Sequence, residues 1–285
     1  MLPRCASGLL APVLLVALAV ALAGCASVPT DASRRSLVDA ERAFATIAAE
    51  RGIRASFIAN FADDGVAFNP APFRLREAWG ARPPPANPLA LSLAWHPVIA
   101  GVARSGTLGF TSGPSLLVDT TGANDASHGV YFSVWRRDAD GTWKVAADAG
   151  IRTPRAPVDA DFGADPVVAV PPAAAGSIPA LDAADAGASG GAAAFAASLA
   201  DDARWHVDER LPVIGREAIR TARSGEARAL RFATAGRGSA PSGDLGYTYG
   251  AIDADGAPAG GYLHLWTRGG DGTWRLLVAV HLLPR

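Results

Sequence analysis

The sequence predicts an α+β fold that is built twice. Two observations carry this. Short sequence blocks recur in the same order at a nearly constant spacing, and each copy opens with helical periodicity and continues as short strands joined by Asp-Gly turns. The 285 residues are enough for two ordinary domains. With 49 % hydrophobic residues, 19 % charged residues and a net charge of −1, the chain is neither a disordered tail nor a polybasic nucleic-acid binder. Of its 26 basic residues only Lys144 is a lysine. That bias accompanies abundant alanine and reads as base composition rather than selection for phosphate recognition.

Residues 1–24 have the pattern of a signal peptide: Arg4 in a short basic region, then an uncharged run from Leu9 to Ala23. That run is short for a membrane-spanning helix, which needs about 20 residues. It ends in Leu22-Ala23-Gly24-Cys25, which resembles the lipobox of bacterial lipoproteins. The resemblance implies cleavage before Cys25, acylation of its thiol and anchorage to a bilayer. Cys5 would leave with the signal peptide, so thiol catalysis and disulfides are not expected. Ala26 in place of Asp favours the outer membrane, with the protein facing the periplasm. Residues 25–32 are expected to be a polar tether.

The repeat is legible in four blocks. Phe57 to Asp64 recurs as Phe195 to Asp202, Arg76-Glu77-Ala78 as Arg216-Glu217-Ala218, the stretch Ser105 to Gly113 as Ser242 to Gly250, and Asp140-Gly141-Thr142-Trp143 as Asp271-Gly272-Thr273-Trp274. The spacings are 138, 140, 137 and 131 residues, and the final drop predicts a longer hairpin in the first copy between Gly113 and Trp135. The first copy is assigned to 33–151 and the second to 176–285, with a Pro/Ala-rich linker at 152–175.

Within the first copy, Leu37, Ala40, Phe44, Ile47 and Ala48 follow helical spacing. Gly52 breaks the helix, and a second helix is expected from Arg54 to Ala62; Gly190 holds the place of Gly52 in the second copy. Strand character follows at Val66–Phe68, Leu108–Thr111, Val130–Arg136 and Trp143–Asp148, with Asp140-Gly141 and Asp271-Gly272 as hairpin turns.

Helices followed by a meander containing S-G-x-L-G-[FY]-T-x-G, a Trp/Tyr strand and D-G-T-W-[KR]-[VL] resemble the SnoaL-like, nuclear-transport-factor-2-like superfamily. The resemblance covers both copies. It implies two cone-shaped domains, each a curved antiparallel sheet wrapped around N-terminal helices, with a pocket at the open end. The superfamily holds isomerases, cyclases and dehydratases alongside non-catalytic binding modules, so the fold alone decides no chemistry. The two cones are expected to pack as an internal pseudo-dimer.

Candidate chemistry is sparse. The glycines of the S-G-x-L-G block lack the Lys-Ser/Thr of a phosphate loop, and Gly236-Arg237-Gly238 lacks the third glycine of a dinucleotide fingerprint. Asp63-Asp64 and Asp201-Asp202 read as turn or helix-end residues. Isomerase chemistry needs a carboxylate base and an oxyanion hole. The first copy offers Asp148 and Tyr131 but has Phe110 where the second has Tyr247; the second has Tyr247 and Tyr262 but Ala279 in the slot of Asp148. The five histidines show no metal-ligand spacing, so neither metal nor cofactor is expected. His264 alternates with Tyr262 and Trp266 on one strand face. Candidate ligand-binding residues are Trp95, His96, Tyr131, Asp148, His206, Tyr247 and His264, with Cys25 as the lipidation site. The expected function is non-catalytic: an envelope protein that binds a small apolar or amphipathic ligand, or docks an envelope partner. The alternative is an isomerase, dehydratase or hydrolase in the first cone, using Asp148 and His96.

Overall fold

The computed structural model describes residues 30–166, 168, 178–225 and 228–283. Cys25 and the expected signal peptide lie outside the described residues, as does most of the tether. Its last residues, however, are helical: α1 (Thr30–Arg51) begins inside the stretch read as tether, with Asp31 in its first turn, where a negative charge suits the helix dipole. After Gly52 comes α2 (Ile53–Asn60), then β1 (Phe61–Asn69), β2 (Ala71–Arg74), α3 (Leu75–Gly80), β3 (Leu91–Trp95), β4 (Ile99–Val102), β5 (Leu108–Asp119), β6 (Ser127–Arg137) and β7 (Trp143–Arg152). A 3₁₀ turn at Asp159–Phe162 follows. The second copy holds α4 (Ile178–Gly187), α5 (Ala192–Ser198), β8 (Leu199–Val207), β9 (Val213–Ile214), α6 (Arg216–Arg223), β10 (Leu230–Ser239), β11 (Leu245–Ala254), β12 (Ala257–Arg268) and β13 (Trp274–Leu282).

Each copy makes its own sheet. The first runs in the order β2-β1-β7-β6-β5-β3, with β4 also paired to β5; the second runs β10-β11-β12-β13-β8-β9. Neither sheet is wholly antiparallel, since β1 lies parallel to β7 and β8 parallel to β13. The strand leaving the helices thus returns beside the last strand of its own copy. The strands also run further than local propensity suggested, because ladder pairing extends them: β5 reaches Asp119 and β7 reaches Arg152. The β5–β6 hairpin is the longer one, with Leu117 opposite Ser127, whereas in the second copy Ala254 faces Ala257 across a two-residue turn.

The repeated blocks have structural work. Asp63 and Asp64 fall within β1, at a shift in its register with β7, rather than between helix and strand. Arg76 reaches back to Asp63 at 2.9 Å and to the Phe61 carbonyl; Arg216 does the same to Asp201 at 3.0 Å and to the Leu199 carbonyl. One acid–arginine clamp therefore pins the helix after the second strand to the register shift, twice. Gly236 and Gly238 have a different task from phosphate binding. Their missing Cβ atoms leave room for the rings of Tyr249 and Tyr247, which lie across them from β11.

The two copies touch along one face of each sheet. Phe132, Val134, Ala149 and Ile151 share an apolar cluster with Leu263, Leu265, Val278 and Val280. Strand β7 packs on β8 and β13, and β2 packs on β11 and β12. At one end the Ser105 amide donates to the Ser242 hydroxyl at 3.1 Å and the Arg104 amide to Asp244 at 2.7 Å. Ser105 and Ser242 are the same position in the repeat. At the other end the Glu209 amide donates to the Arg152 carbonyl at 2.9 Å.

Candidate functional site

The apolar stripe of α1 buries Leu37, Phe44 and Ala48, and Glu41 sits in the same stripe, fully buried. It is satisfied by three donors. Trp95 Nε1 donates to Oε1 at 2.6 Å, Trp135 Nε1 donates to Oε2 at 2.9 Å, and the Thr111 hydroxyl also donates to Oε2. Burial pushes the Glu41 carboxyl up to about 7, against those three hydrogen bonds. Nearby on the same sheet face are Tyr131 and Asp148. Asp148 is half-buried, accepts a hydrogen bond from the Ser133 hydroxyl at 2.6 Å, and is pushed up to about 6 by desolvation. The Tyr131 hydroxyl is buried without a hydrogen-bond partner, and burial and then the charge of Glu41 raise its pKa well above that of a free tyrosine. Two carboxyls poised near neutrality beside an unpaired phenol can donate and accept protons at physiological pH.

The second copy builds the corresponding centre and closes it. Asp185 on α4 is fully buried and accepts four hydrogen bonds: from Thr248 at 2.7 Å, Thr234 at 2.8 Å, Tyr262 at 2.6 Å and His264 Nδ1 at 2.9 Å. Trp205 Nε1 can only donate, so at 3.1 Å the His281 Nδ1 must accept. The His281 proton is therefore on Nε2, which donates to His264 Nε2 at 3.0 Å, and the His264 proton is on Nδ1, facing Asp185. The chain Trp205→His281→His264→Asp185 thus runs in one direction with both imidazoles neutral. Desolvation would raise the Asp185 pKa, but the hydrogen bonds from His264, Tyr262 and Thr248 bring it below the usual value. Burial holds the pKa of both histidines down. The buried Arg223 guanidinium lies 4.2 Å over the Phe195 ring and fills the space beside this network.

The sequence candidates are split by this geometry. Trp95, Tyr131 and Asp148 face one another around Glu41. His96 does not join them: neighbouring residues of an extended chain point to opposite faces. Its ring is 60 % exposed and lies 3.3 Å from Asp159. His264 lies inside the second copy, satisfied on both nitrogens. His206 and Tyr247 lie on the opposite sheet face, toward the first copy. His206 stands edge-on to Phe132 at 6.2 Å with neither ring nitrogen hydrogen-bonded. Tyr247 is pushed up to about 12 by burial, against the Arg136 charge. Glu41 and Asp185 were missed by sequence reasoning, although an acid within an apolar helical stripe was a usable signal.

The first copy also carries a cleft of about 560 Å³, lined by Ile53, Trp79, Pro83, Leu91 and Leu117 among others, with Arg54, Arg82 and Asn87 as its polar groups. Alternate residues of β5 place Leu117 on the sheet face of Thr111, and Leu91 shares a face with Trp95 on β3. The cleft is thus on the Glu41 side of the sheet. Trp79 stacks against Phe57 at 5.6 Å, and Phe57 meets Trp95 at 6.2 Å, so an aromatic wall joins cleft and carboxylate. The loop 81–90 that forms the outer wall is tied down. Thr120 bonds the carbonyls of Leu89 and Ala90, and Asn87 caps the Leu89 amide. Gly52, at φ +85°, has no Cβ to collide with the Pro88 carbonyl that rests against it. Trp95 and His96 also border a smaller depression of about 330 Å³ with His128 and Pro157.

No family model matches the chain, and no curated protein matches it. Solved structures do. A nuclear-transport-factor-2-like protein of unknown function from Pseudomonas putida is 17 % identical, with 42 % of this chain and 87 % of that one covered and a TM-score of 0.33. A ketosteroid isomerase-like protein from Erwinia carotovora is 17 % identical over 41 % of this chain and 94 % of that one, with a TM-score of 0.32. A conserved protein from Planctomyces limnophilus is 16 % identical over 41 % and 97 %, with a TM-score of 0.31. Each match is about one copy long. The chain consists of two successive α+β units, each with its own sheet.

Proposed function

We propose that the protein is a lipid-anchored envelope protein whose first copy binds a small amphipathic ligand, with the second copy as its scaffold in an internal pseudo-dimer. The observation that carries the binding role is the cleft of about 560 Å³ beside Trp79, Leu91 and Leu117. Its size falls in the range of small-ligand sites, its walls are mostly apolar, and a few polar groups could fix orientation. Its outer loop is hydrogen-bonded in place, so little ordering entropy opposes binding. The second copy supports the scaffold role, because its own carboxylate is sealed by four donors and the Arg223 side chain.

The test uses full-length protein in phosphatidylcholine nanodiscs and an eight-carbon alcohol bearing a diazirine. Photolabelling is expected on peptides containing Ile53, Trp79 and Leu91, and Leu117→Trp, which fills the cleft, is expected to remove it. Label spread evenly over the chain would overturn the binding reading. Mass spectrometry of the same sample is expected to show a diacylated Cys25 at the N-terminus; an unmodified Cys25 would overturn the anchor.

A second reading is supported by Glu41 and Asp148, both raised toward neutrality beside Tyr131. In it the first cone is an acid–base enzyme of the isomerase or dehydratase class. Turnover of an enolisable ketone that disappears in Asp148→Asn would favour it over simple binding.

A further inference from the structure

We infer that the cleft of the first copy selects a single-chain amphiphile with an anionic head, carboxylate or sulfate, held by Arg54 and Arg82. This rests on the binding reading above and adds the chemical class of ligand. The cleft lining contains two arginines and no acidic residue. The Arg54 Nη2 donates to the Arg82 carbonyl at 2.8 Å, which fixes one guanidinium in the cleft wall while leaving its other N–H groups for a ligand. A guanidinium presents a planar fork of donors matched to carboxylate, sulfate or phosphate oxygens. No carboxylate is paired with Arg54 or Arg82 among the described ion pairs.

The rest of the lining suits a hydrocarbon. Trp79, Leu91, Leu117 and the ring faces of Pro83, Pro85 and Pro88 offer no hydrogen-bonding side-chain group apart from the Trp79 indole N–H. Leu91 is 47 % exposed and Leu89, on the adjoining loop, 45 %, the two most exposed leucines among the described residues. Leaving two leucines in water beside a preformed apolar wall is unfavourable, and burying them under an acyl chain recovers that apolar area. Two guanidinium groups in an otherwise mostly apolar lining are the pattern of a site for an amphiphile rather than for a uniformly polar metabolite.

The second copy lacks this arrangement. There the Arg223 guanidinium is buried and stacked on Phe195, the partner of Phe57 in the repeat, so it is turned inward rather than toward a mouth.

The experiment is calorimetric titration of full-length protein in phosphatidylcholine nanodiscs, with empty discs subtracted, using octyl sulfate, octanoate, octanol and octyltrimethylammonium. Octyl sulfate and octanoate are expected to bind about ten-fold tighter than octanol, the scale of one charge-assisted hydrogen bond. The paired substitution Arg54→Gln with Arg82→Gln is expected to abolish that preference. Equal affinity for octyl sulfate and octanol, or a preference that survives in the double variant, would overturn the anionic head and leave the cleft reading standing. Binding of none of the four probes would overturn both. Loss of all binding in Leu117→Trp, with unchanged thermal stability, would place the site in this cleft; retained binding would remove it from there.

Discussion

Glu41 and Asp185 hold the same place in the two copies. Each follows a fully buried leucine, Leu37 or Leu181, by one helical turn, and each accepts a hydrogen bond from the repeat-related threonine, Thr111 or Thr248. The surroundings then diverge. Trp135 donates directly to Glu41, while its counterpart Trp266 donates to Thr248 at 2.9 Å. Ser133 becomes His264 and Gly150 becomes His281, and these two rings occupy the space that Asp148 overlooks in the first copy. The first copy keeps an unpaired phenol and a half-buried carboxylate; in the second, Tyr262, His264 and His281 are all hydrogen-bonded within the network around Asp185.

Asp185→Ala is therefore expected to be severely destabilising. It would strand the donors of Thr248, Tyr262 and His264 in a dry interior, each with a desolvation cost. A loss of roughly 3–5 kcal/mol is expected, the scale for removing one partner of a buried charged network. Urea unfolding measures it. A loss under 1 kcal/mol would mean that water reaches the network.

The repeat and the helix–strand order were legible because the same short blocks perform the same mechanical task. Asp63 with Arg76, and Asp201 with Arg216, are clamps whose partners are both inside recurring blocks. The paired carboxylates of the site were not legible for two reasons. Their helices are out of step with the rest: Glu41 and Asp185 are 144 residues apart, whereas Gly52 and Gly190 are 138 apart, because the first helix of the first copy runs six residues further before its glycine. Their chemistry also misleads, since a lone Glu or Asp on a helix is ordinarily solvent-facing. The outward placement of His206 and Tyr247 had a readable sign, because both alternate with residues that turn inward, Trp205 and Thr248.

Asp148→Asn is expected to reverse part of the protein's pH dependence. The folded-state pKa is about 6, above the ordinary aspartate value of 3.8, so the folded state holds more protons between those values. Stability from this group is present at low pH and declines as pH rises through that window. The asparagine variant removes the decline and should be more stable than the parent by about 1–3 kcal/mol at pH 8, with no gain at pH 3.5. Thermal melts at the two pH values decide it, and an equal change at both would mean that Asp148 does not titrate in this range.

His206 carries the opposite slope. Burial first, then the charge of Arg204, lowers its pKa to about 3 from 6.5, so the unfolded chain binds the extra proton in between. Stability is full above pH 6.5 and is lost as pH falls toward 3, with a loss of about 2 kcal/mol at pH 5 from this residue alone. His206→Leu keeps an apolar side chain against Phe132, removes two buried nitrogens that lack partners, and should abolish that acid loss. Denaturant midpoints at pH 5 and pH 7.5 test it: the variant's advantage must be larger at pH 5. An advantage independent of pH would show that packing, and not protonation, governs the site.

A single hydroxyl separates the two D-G-T-W tryptophans. Trp143 Nε1 donates to the Ser36 hydroxyl at 3.0 Å, whereas Trp274 Nε1 is buried without an acceptor. The residue 144 positions after Ser36, the same spacing that relates Glu41 to Asp185 and Leu37 to Leu181, is Ala180. Ala180→Ser should supply the missing acceptor. A new hydrogen bond to a buried donor contributes about 0.5–1.5 kcal/mol, offset by roughly 0.5 kcal/mol of lost helix propensity relative to alanine. Ala186→Ser, on another face of the same helix and exposed, bears the propensity loss without the bond. The two serine variants are therefore expected to differ by about 1 kcal/mol in favour of Ala180→Ser in urea unfolding. Ser36→Ala in the first copy should cost about 1–2 kcal/mol, because it strands the Trp143 donor. Equal stabilities for Ala180→Ser and Ala186→Ser would break the equivalence of the two first helices, and with it the pairing of Glu41 and Asp185.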